Sequence, residues 1–347
     1  MPVSGGIRAV LRRLHPCGHG LLRPYGGGAA SGAGSRGPET IDLCPDTTYV
    51  GNFTIRRKVT VIGAGPESTV LNGGGIDVVV YVNTRSEVEL RGMKITNVPG
   101  PISRGIRTGA VLTLVDVSVT GNTANHNGAG IENFGTLTLI DSSVTDNVCG
   151  SQFTAGDGGG IYNRGGPDIV ASVTLRGSTV SGNTAFRGGG IASFVGGSTV
   201  TLEDSIVSGN TASFGGGIKI ADVATMTLKA GSRVMNNTAL VAGGIDIDLA
   251  TVTLEDGSVV SGNTASFGYG GGIANEASIN TLAGTLTLKA GSRVTNNRAA
   301  TRGGGIANGV WAGLILEADD IVTDNYILDG TTLNNCSPPD TIPNCIE

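Results

Sequence analysis

The chain has 347 residues, of which 59 are glycine and only seven Phe, six Tyr and one Trp are aromatic, and its net charge is −5. Glycine without a three-residue period excludes collagen. Charged residues at 15% beside hydrophobic ones at 39% argue against simple disorder, and no apolar run reaches the ~18 residues of a transmembrane helix. With so few rings, the core has to be built from small aliphatic side chains.

Residues 1–38 hold five arginines (Arg8, Arg12, Arg13, Arg23 and Arg36) and no acid, so the remainder carries 18 basic and 28 acidic residues. That acidic body argues against a nucleic-acid partner, which wants a basic face. The one apolar stretch of the segment, Ile7 to Leu14, is broken by arginines, and a secretory signal needs a longer apolar run. No signal peptide is recognised. The segment reads as a disordered or leader-like basic stretch, with a transit-like leader as the other reading.

Residues 39–98 read as irregular first coils of a repeat. Their strand candidates are Tyr49 to Ile55, Val59 to Ile62, Thr69 to Leu71, Val78 to Val82 and Val88 to Ile95, with 39–47 as a candidate cap.

From there a unit of NTAxxGGGI, TLTL and SxVSGN recurs, and four rows can be followed. Leucines stand at Leu114, Leu139, Leu175, Leu202, Leu228, Leu254, Leu288 and Leu316. Valines follow at Val119, Val144, Val180, Val207, Val234, Val260, Val294 and Val322. Three residues after each valine comes an asparagine: Asn122, Asn147, Asn183, Asn210, Asn237, Asn263, Asn297 and Asn325. Isoleucines close the unit at Ile131, Ile161, Ile191, Ile218, Ile245, Ile273 and Ile306.

Within the TLTL piece the polarity alternates, which is strand and not helix. Three short strands in a turn of ~27 residues is the arithmetic of a three-sided parallel β-helix, in which like residues stack into columns. The expected fold is therefore all-β: one parallel β-helix over residues 39–330, about ten coils, with 331–347 as a C-terminal tail or cap. At ~4.8 Å per coil the rod measures about 45–50 Å. The asparagine column reads as a structural ladder of stacked amides. A monomer is expected.

Cys336 and Cys345 flank SPPDTIPN at the chain end. They either close a disulfide, which fits an exported protein, or leave two free thiols.

The GGGI pieces ending at Ile161, Ile191, Ile218, Ile273 and Ile306, with TLTL and SxVSGN, resemble the right-handed parallel β-helix superfamily of pectate-lyase-like proteins. Their repeat type resembles that of polymorphic outer-membrane proteins and of secreted bacterial β-helix-repeat proteins. The resemblance covers about residues 40–330. The FxxN element of the outer-membrane repeats is absent, and the 22 residues after Asn325 are too few for a membrane barrel. What the resemblance implies is right-handedness and an extracellular or cell-surface bacterial setting. It also implies one of two roles: an adhesin-like solenoid, or a polysaccharide lyase or glycoside hydrolase.

Candidate chemistry is sparse. Lys219 and Asp246 hold the same place in adjacent coils, with Asp222 and Asp248 just beyond. This is the densest local charge, the weak catalytic candidate, and a set whose three carboxylates suit calcium, the one cofactor considered. The residue after each leucine is Arg176, Glu203, Lys229, Glu255, Lys289 and Glu317 in successive coils, which reads as an exposed ion-pair ladder. Asp116, Asp141, Asp204 and Asp256 read as turn residues. Paired threonines such as Thr199/Thr201 form a flat array of the kind that could meet ice, but threonine is also an ordinary exposed strand residue. No nucleotide loop, GxSxG or HExxH is present.

The leading expectation is a non-enzymatic secreted or surface solenoid binding a polysaccharide, surface glycan or protein. Its contacts would lie on a side face and on the inserts at Cys149 to Gly160, Gly165 to Ala171 and Glu276 to Gly284.

Overall fold

The computed structural model describes residues 39–75, 77–83, 86–97, 103–150, 155–166, 169–276, 284–317, 321–337 and 345. The basic segment 1–38 and most of the insert at 277–283 lie outside the described residues. Every described element is a strand, and every ladder between the strands is parallel.

One coil shows the plan. It runs Thr199–Glu203, Ile206–Ser208, Thr211–Phe214 and Ile218–Ala221, and the next begins at Thr225. Each piece pairs with its copy one coil on: Thr199 with Thr225, Ile206 with Arg233, Thr211 with Thr238, Ile218 with Ile245. Alternation then turns Val200 and Leu202 inward and leaves Thr199, Thr201 and Glu203 outside. Repeated along the rod, this makes a leucine face, a valine face and an isoleucine face around one dry core. Each fully buried Leu, Val or Ile contributes about 1.5–3 kcal/mol relative to exposure.

The isoleucine face has eleven strands in one sheet, from Phe53–Ile55 to Cys336–Ser337. The leucine and valine faces join into a single twenty-stranded sheet, because Glu87–Thr96 and Val111–Thr120 bend round the corner between them. At that corner Gly92 and Asp116 take φ of 58° and 52°. Asp141 and Asp204 do the same, which fits their reading as turn residues.

The parallel β-helix expected from the rows is what forms, with three local differences. First, most coils carry a fourth short strand after the asparagine, such as Thr211–Phe214 and Thr238–Val241. Its inward residue is small (Ala124, Cys149, Ala185, Ala212, Ala239, Ala265, Ala299), so this edge can lie close to the core without a full side-chain layer. Second, Tyr49 to Ile55 is not one strand: Gly51 at φ 143° divides Thr47–Val50 from Phe53–Ile55. Third, residues 39–42 are a rung rather than a cap, paired with Val59–Ile62.

The asparagine ladder is continuous. Each side chain is buried, and its amide nitrogen donates to the next coil's Oδ1, as Asn210 to Asn237 at 2.9 Å. Its second amide hydrogen goes to a valine carbonyl, from Asn210 to Val180 at 3.0 Å. The backbone N–H of each rung also donates to the same Oδ1. The stack runs Asn122, Asn147, Asn183, Asn210, Asn237, Asn263, Asn297, Asn325 and then Asn335, a rung in the tail that the repeat spacing does not show. Just before each rung the backbone has positive φ, filled by Gly, Asp or Asn, such as Gly209 at 63° and Asn236 at 56°.

The glycines before each isoleucine, two or three in number, do different work. In the coil at 215–217 only Gly215 has positive φ, 61°. Gly217 has ordinary φ but no room: a Cβ there would lie 2.8 Å from the Gly244 carbonyl oxygen and 2.9 Å from Asn237 Nδ2. The coils can stack this closely only without a side chain. Gly217→Ala is therefore expected to lower stability by about 3 kcal/mol through overpacking against backbone, read as a shifted urea midpoint. A midpoint unchanged from the parent would contradict this packing.

At the C-terminal end, Cys336 is buried and continues the isoleucine column, pairing with Ile306. It forms the expected disulfide with Cys345, Cα–Cα 6.2 Å. Cys149 is a free, buried thiol.

Candidate functional site

The outer side of the isoleucine face differs from the other two. Its first outward column reads Arg107, Glu132, Tyr162, Ala192, Lys219, Asp246, Ala274, one residue per coil. A second column pairs Arg164 with Phe194, and further on Ala221, Asp248 and Glu276. No charged residue type repeats along either column, although the isoleucines beneath them do.

These side chains are packed, not waving in solvent. Lys219 Nζ lies 2.9 Å from Asp246 Oδ2 and 3.7 Å from Asp248 Oδ2, and Asp246 is 2% exposed. Burial drives the Asp246 carboxyl up to about 6; Lys219 opposes this, while Glu276 and Asp248 add to it. One coil further, the Tyr269 hydroxyl donates to Glu276 Oε1 and Arg302 stacks over the Tyr269 ring at 4.9 Å. Burial, then that hydrogen bond to Glu276, raises the Tyr269 phenol. Tyr269, Glu276, Arg302 and Asn308 line a cleft of about 210 Å³.

Towards the N-terminal end, Arg187 grips Asp157 with two hydrogen bonds of 2.8 and 2.7 Å and stacks over Phe194 at 4.9 Å. Tyr162 packs on Phe194, ring centroids 5.9 Å apart. Glu132 is buried between Arg107 Nε at 3.2 Å and Arg104 Nε at 3.4 Å, and burial raises its carboxyl. Its Oε2 accepts no hydrogen bond. Arg107 in turn covers Phe134 at 5.5 Å. Phe186, Phe214, Leu240 and Phe267 stay exposed along one border of this strip.

Four charged side chains are buried among the described residues: Glu132, Asp157, Lys219 and Asp246. All four belong to this strip. By contrast the charge row beside the leucines is exposed and closes only in part. Arg176 and Lys229 both reach Glu203, at 2.8 and 2.7 Å, whereas no ion pair joins Glu255, Lys289 and Glu317 among the described residues. Opposite charges one coil apart can meet, but long exposed side chains gain little by doing so.

Of the residues singled out in the sequence, Lys219, Asp246 and Asp248 are brought together. Asp222 is exposed at the strand end, φ 57°, facing Arg187 rather than this ion pair. An ammonium group, Lys219 Nζ, already sits between the two carboxylates that calcium would need, and no cluster of three His, Cys, Asp or Glu suited to a metal occurs among the described residues. His126 is exposed, and its carbonyl accepts from the Cys149 thiol at 2.6 Å. Arg104, Arg107, Arg164, Arg302, Glu132, Tyr162 and Tyr269 were not singled out in the sequence, whereas Asp157 and Glu276 belong to inserts expected to make contacts. For Arg107, Glu132 and Tyr162 the signal was the position after the isoleucine, which changes type from coil to coil while the isoleucine does not.

Asp246 makes a signed pH prediction. Its carboxyl is higher in the fold than in the unfolded chain, so the native state binds the extra proton between pH ~4 and ~6. Its contribution to stability is thus full below pH ~4, falls as pH rises through ~6, and amounts to about 3 kcal/mol. Asp246→Asn is expected to remove that slope from the dependence of urea midpoint on pH. A slope identical in both proteins would contradict it.

No family model matches the chain, and no curated protein matches it in sequence. Among solved structures it is similar to the A-module of the mannuronan C-5 epimerase AlgE6 of Azotobacter vinelandii. Identity is 16% and the TM-score 0.45, over 84% of this chain and 91% of that one. The A-module of AlgE4 from the same organism gives 14% identity and a TM-score of 0.45, over 84% and 90%. The Dettilon tailspike protein gives 12% and 0.37, over 84% of this chain and 62% of that chain.

Proposed function

We propose that this chain is a non-enzymatic, exported β-helix protein that holds an extended glycan along the outer side of its isoleucine face. One observation carries the reading: every buried charge among the described residues lies on that strip, together with the Tyr162–Phe194 pair. Burying charge is costly and adds little stability, so its concentration on one face fits a recognition surface better than a structural one. Fixed polar groups are what a sugar needs at its edges, and the exposed rings of Phe186, Phe214 and Phe267 along the border offer an apolar platform for its face. The Cys336–Cys345 disulfide supports an oxidising, extracellular or cell-surface setting.

A polysaccharide lyase or hydrolase is the second reading. It is favoured by Asp246, a carboxyl raised to about 6 beside Lys219 and near Glu276, which is how an acid–base group is tuned. The test is a panel of polysaccharides with calorimetric binding and reducing-sugar and unsaturated-product assays, with and without calcium. Saturable binding without turnover is the expected result, and binding should weaken in Phe214→Ala, an exposed ring, with the circular dichroism unchanged. Turnover of any polymer, lost in Asp246→Asn, would replace the binding reading with the enzymatic one.

A further inference from the structure

The strip is electrically lopsided along the rod. On the N-terminal side of Phe194, four cations (Arg104, Arg107, Arg164 and Arg187) face two carboxylates, Glu132 and Asp157. On the C-terminal side, two cations (Lys219 and Arg302) face three carboxylates, Asp246, Asp248 and Glu276, while a fourth, Asp222, lies at the boundary facing Arg187. The aromatic cluster of Phe134, Tyr162 and Phe194 sits with the cationic half. The two halves are centred about four coils apart, on the order of 19 Å at ~4.8 Å per coil. That distance exceeds the Debye length at physiological salt, so a ligand feels two separate fields and not their average.

We propose that the glycan is bound in one direction only, with an acidic sugar at the arginine end and neutral, hydroxyl-rich sugars at the carboxylate end. This rests on the glycan reading above. The ligand class is then an oligosaccharide acidic at one terminus, not a uniformly acidic polymer. Planar guanidinium groups such as those of Arg107 and Arg164 match a carboxylate in two-toothed fashion. Carboxylates accept from sugar hydroxyls and repel further uronates. A polyuronate would gain at one end and lose at the other.

The experiment is calorimetric titration of the whole chain with gluco-, xylo- and manno-hexaoses. Each is used neutral and with one glucuronate at the non-reducing end, and hexagalacturonate is run beside them. The singly acidic form of one backbone is expected to bind at least tenfold tighter than its neutral form and than hexagalacturonate. Arg164→Glu, an exposed position, should remove that advantage. The Asp222→Asn, Asp248→Asn double variant should tighten hexagalacturonate several-fold. Equal affinity for neutral and singly acidic forms, indifferent to Arg164→Glu, overturns the polarity. Hexagalacturonate as the tightest ligand of the parent protein overturns it as well. Failure of every oligosaccharide to bind overturns the glycan reading itself.

Discussion

Asn210→Asp is expected to lower the stability of the rod by about 4–5 kcal/mol at pH 7. The change removes two donated hydrogen bonds, to Asn237 Oδ1 at 2.9 Å and to the Val180 carbonyl at 3.0 Å. A carboxylate would then face two oxygen acceptors in a dry interior, with no cation in reach of the ladder. Each orphaned buried group costs about 1–3 kcal/mol, and an unpaired buried charge more. The neighbouring Asn236 supplies the control. It is exposed, with φ 56°, at a place where Asp146 and Asp324 already stand in other coils. Asn236→Asp should therefore shift stability by less than about 0.5 kcal/mol. Urea unfolding followed by circular dichroism separates the two; equal midpoints for both variants would mean that the ladder contributes nothing.

Lys219→Met is expected to cost about 3–5 kcal/mol, because it leaves Asp246 buried without its cation. The informative partner is the double variant Lys219→Met, Asp246→Leu. Both side chains lie over Ile218 and Ile245 of the core columns, so apolar residues of similar size can pack there. The double variant should return to within about 1 kcal/mol of the parent, or exceed it. Its stability restored and its glycan binding lost would show that the pair is kept for recognition. A double variant as unstable as Lys219→Met alone would assign the pair a structural role.

The fold was readable in the sequence because its determinants repeat. Leu202, Val207, Asn210 and Ile218 each sit in a column whose members solve the same packing problem, so the rows announce the faces. The fourth edge was less visible, since its only mark is a single alanine such as Ala212 behind the asparagine. Asn335 escaped because the tail reaches the ladder by a different spacing from the repeats. The strip was legible only at Lys219 and Asp246, where two charges stand in adjacent coils. Arg187 and Asp157 each stand four residues before the isoleucine of adjacent coils, but no other coil repeats that pair of residue types, so the rows do not announce it. The outward residues of this strip differ from coil to coil, and a search for periodicity passes over them.

The ladder has one more consequence. Each amide offers its oxygen and one hydrogen to the coil before and its other hydrogen to the coil after, so every coil ends in the socket the next one requires. A segment cut from one asparagine to the next, such as residues 210–236, can be deleted or copied and the junction still joins Gly209 or Asn236 to a ladder asparagine. Rod length is thereby a quantity that gene duplication can adjust in whole coils. Fresh copies would be identical on every face. On the outer side of the isoleucine face the coils differ from one another, so a copied coil would change the order of side chains there while leaving the buried columns as they are.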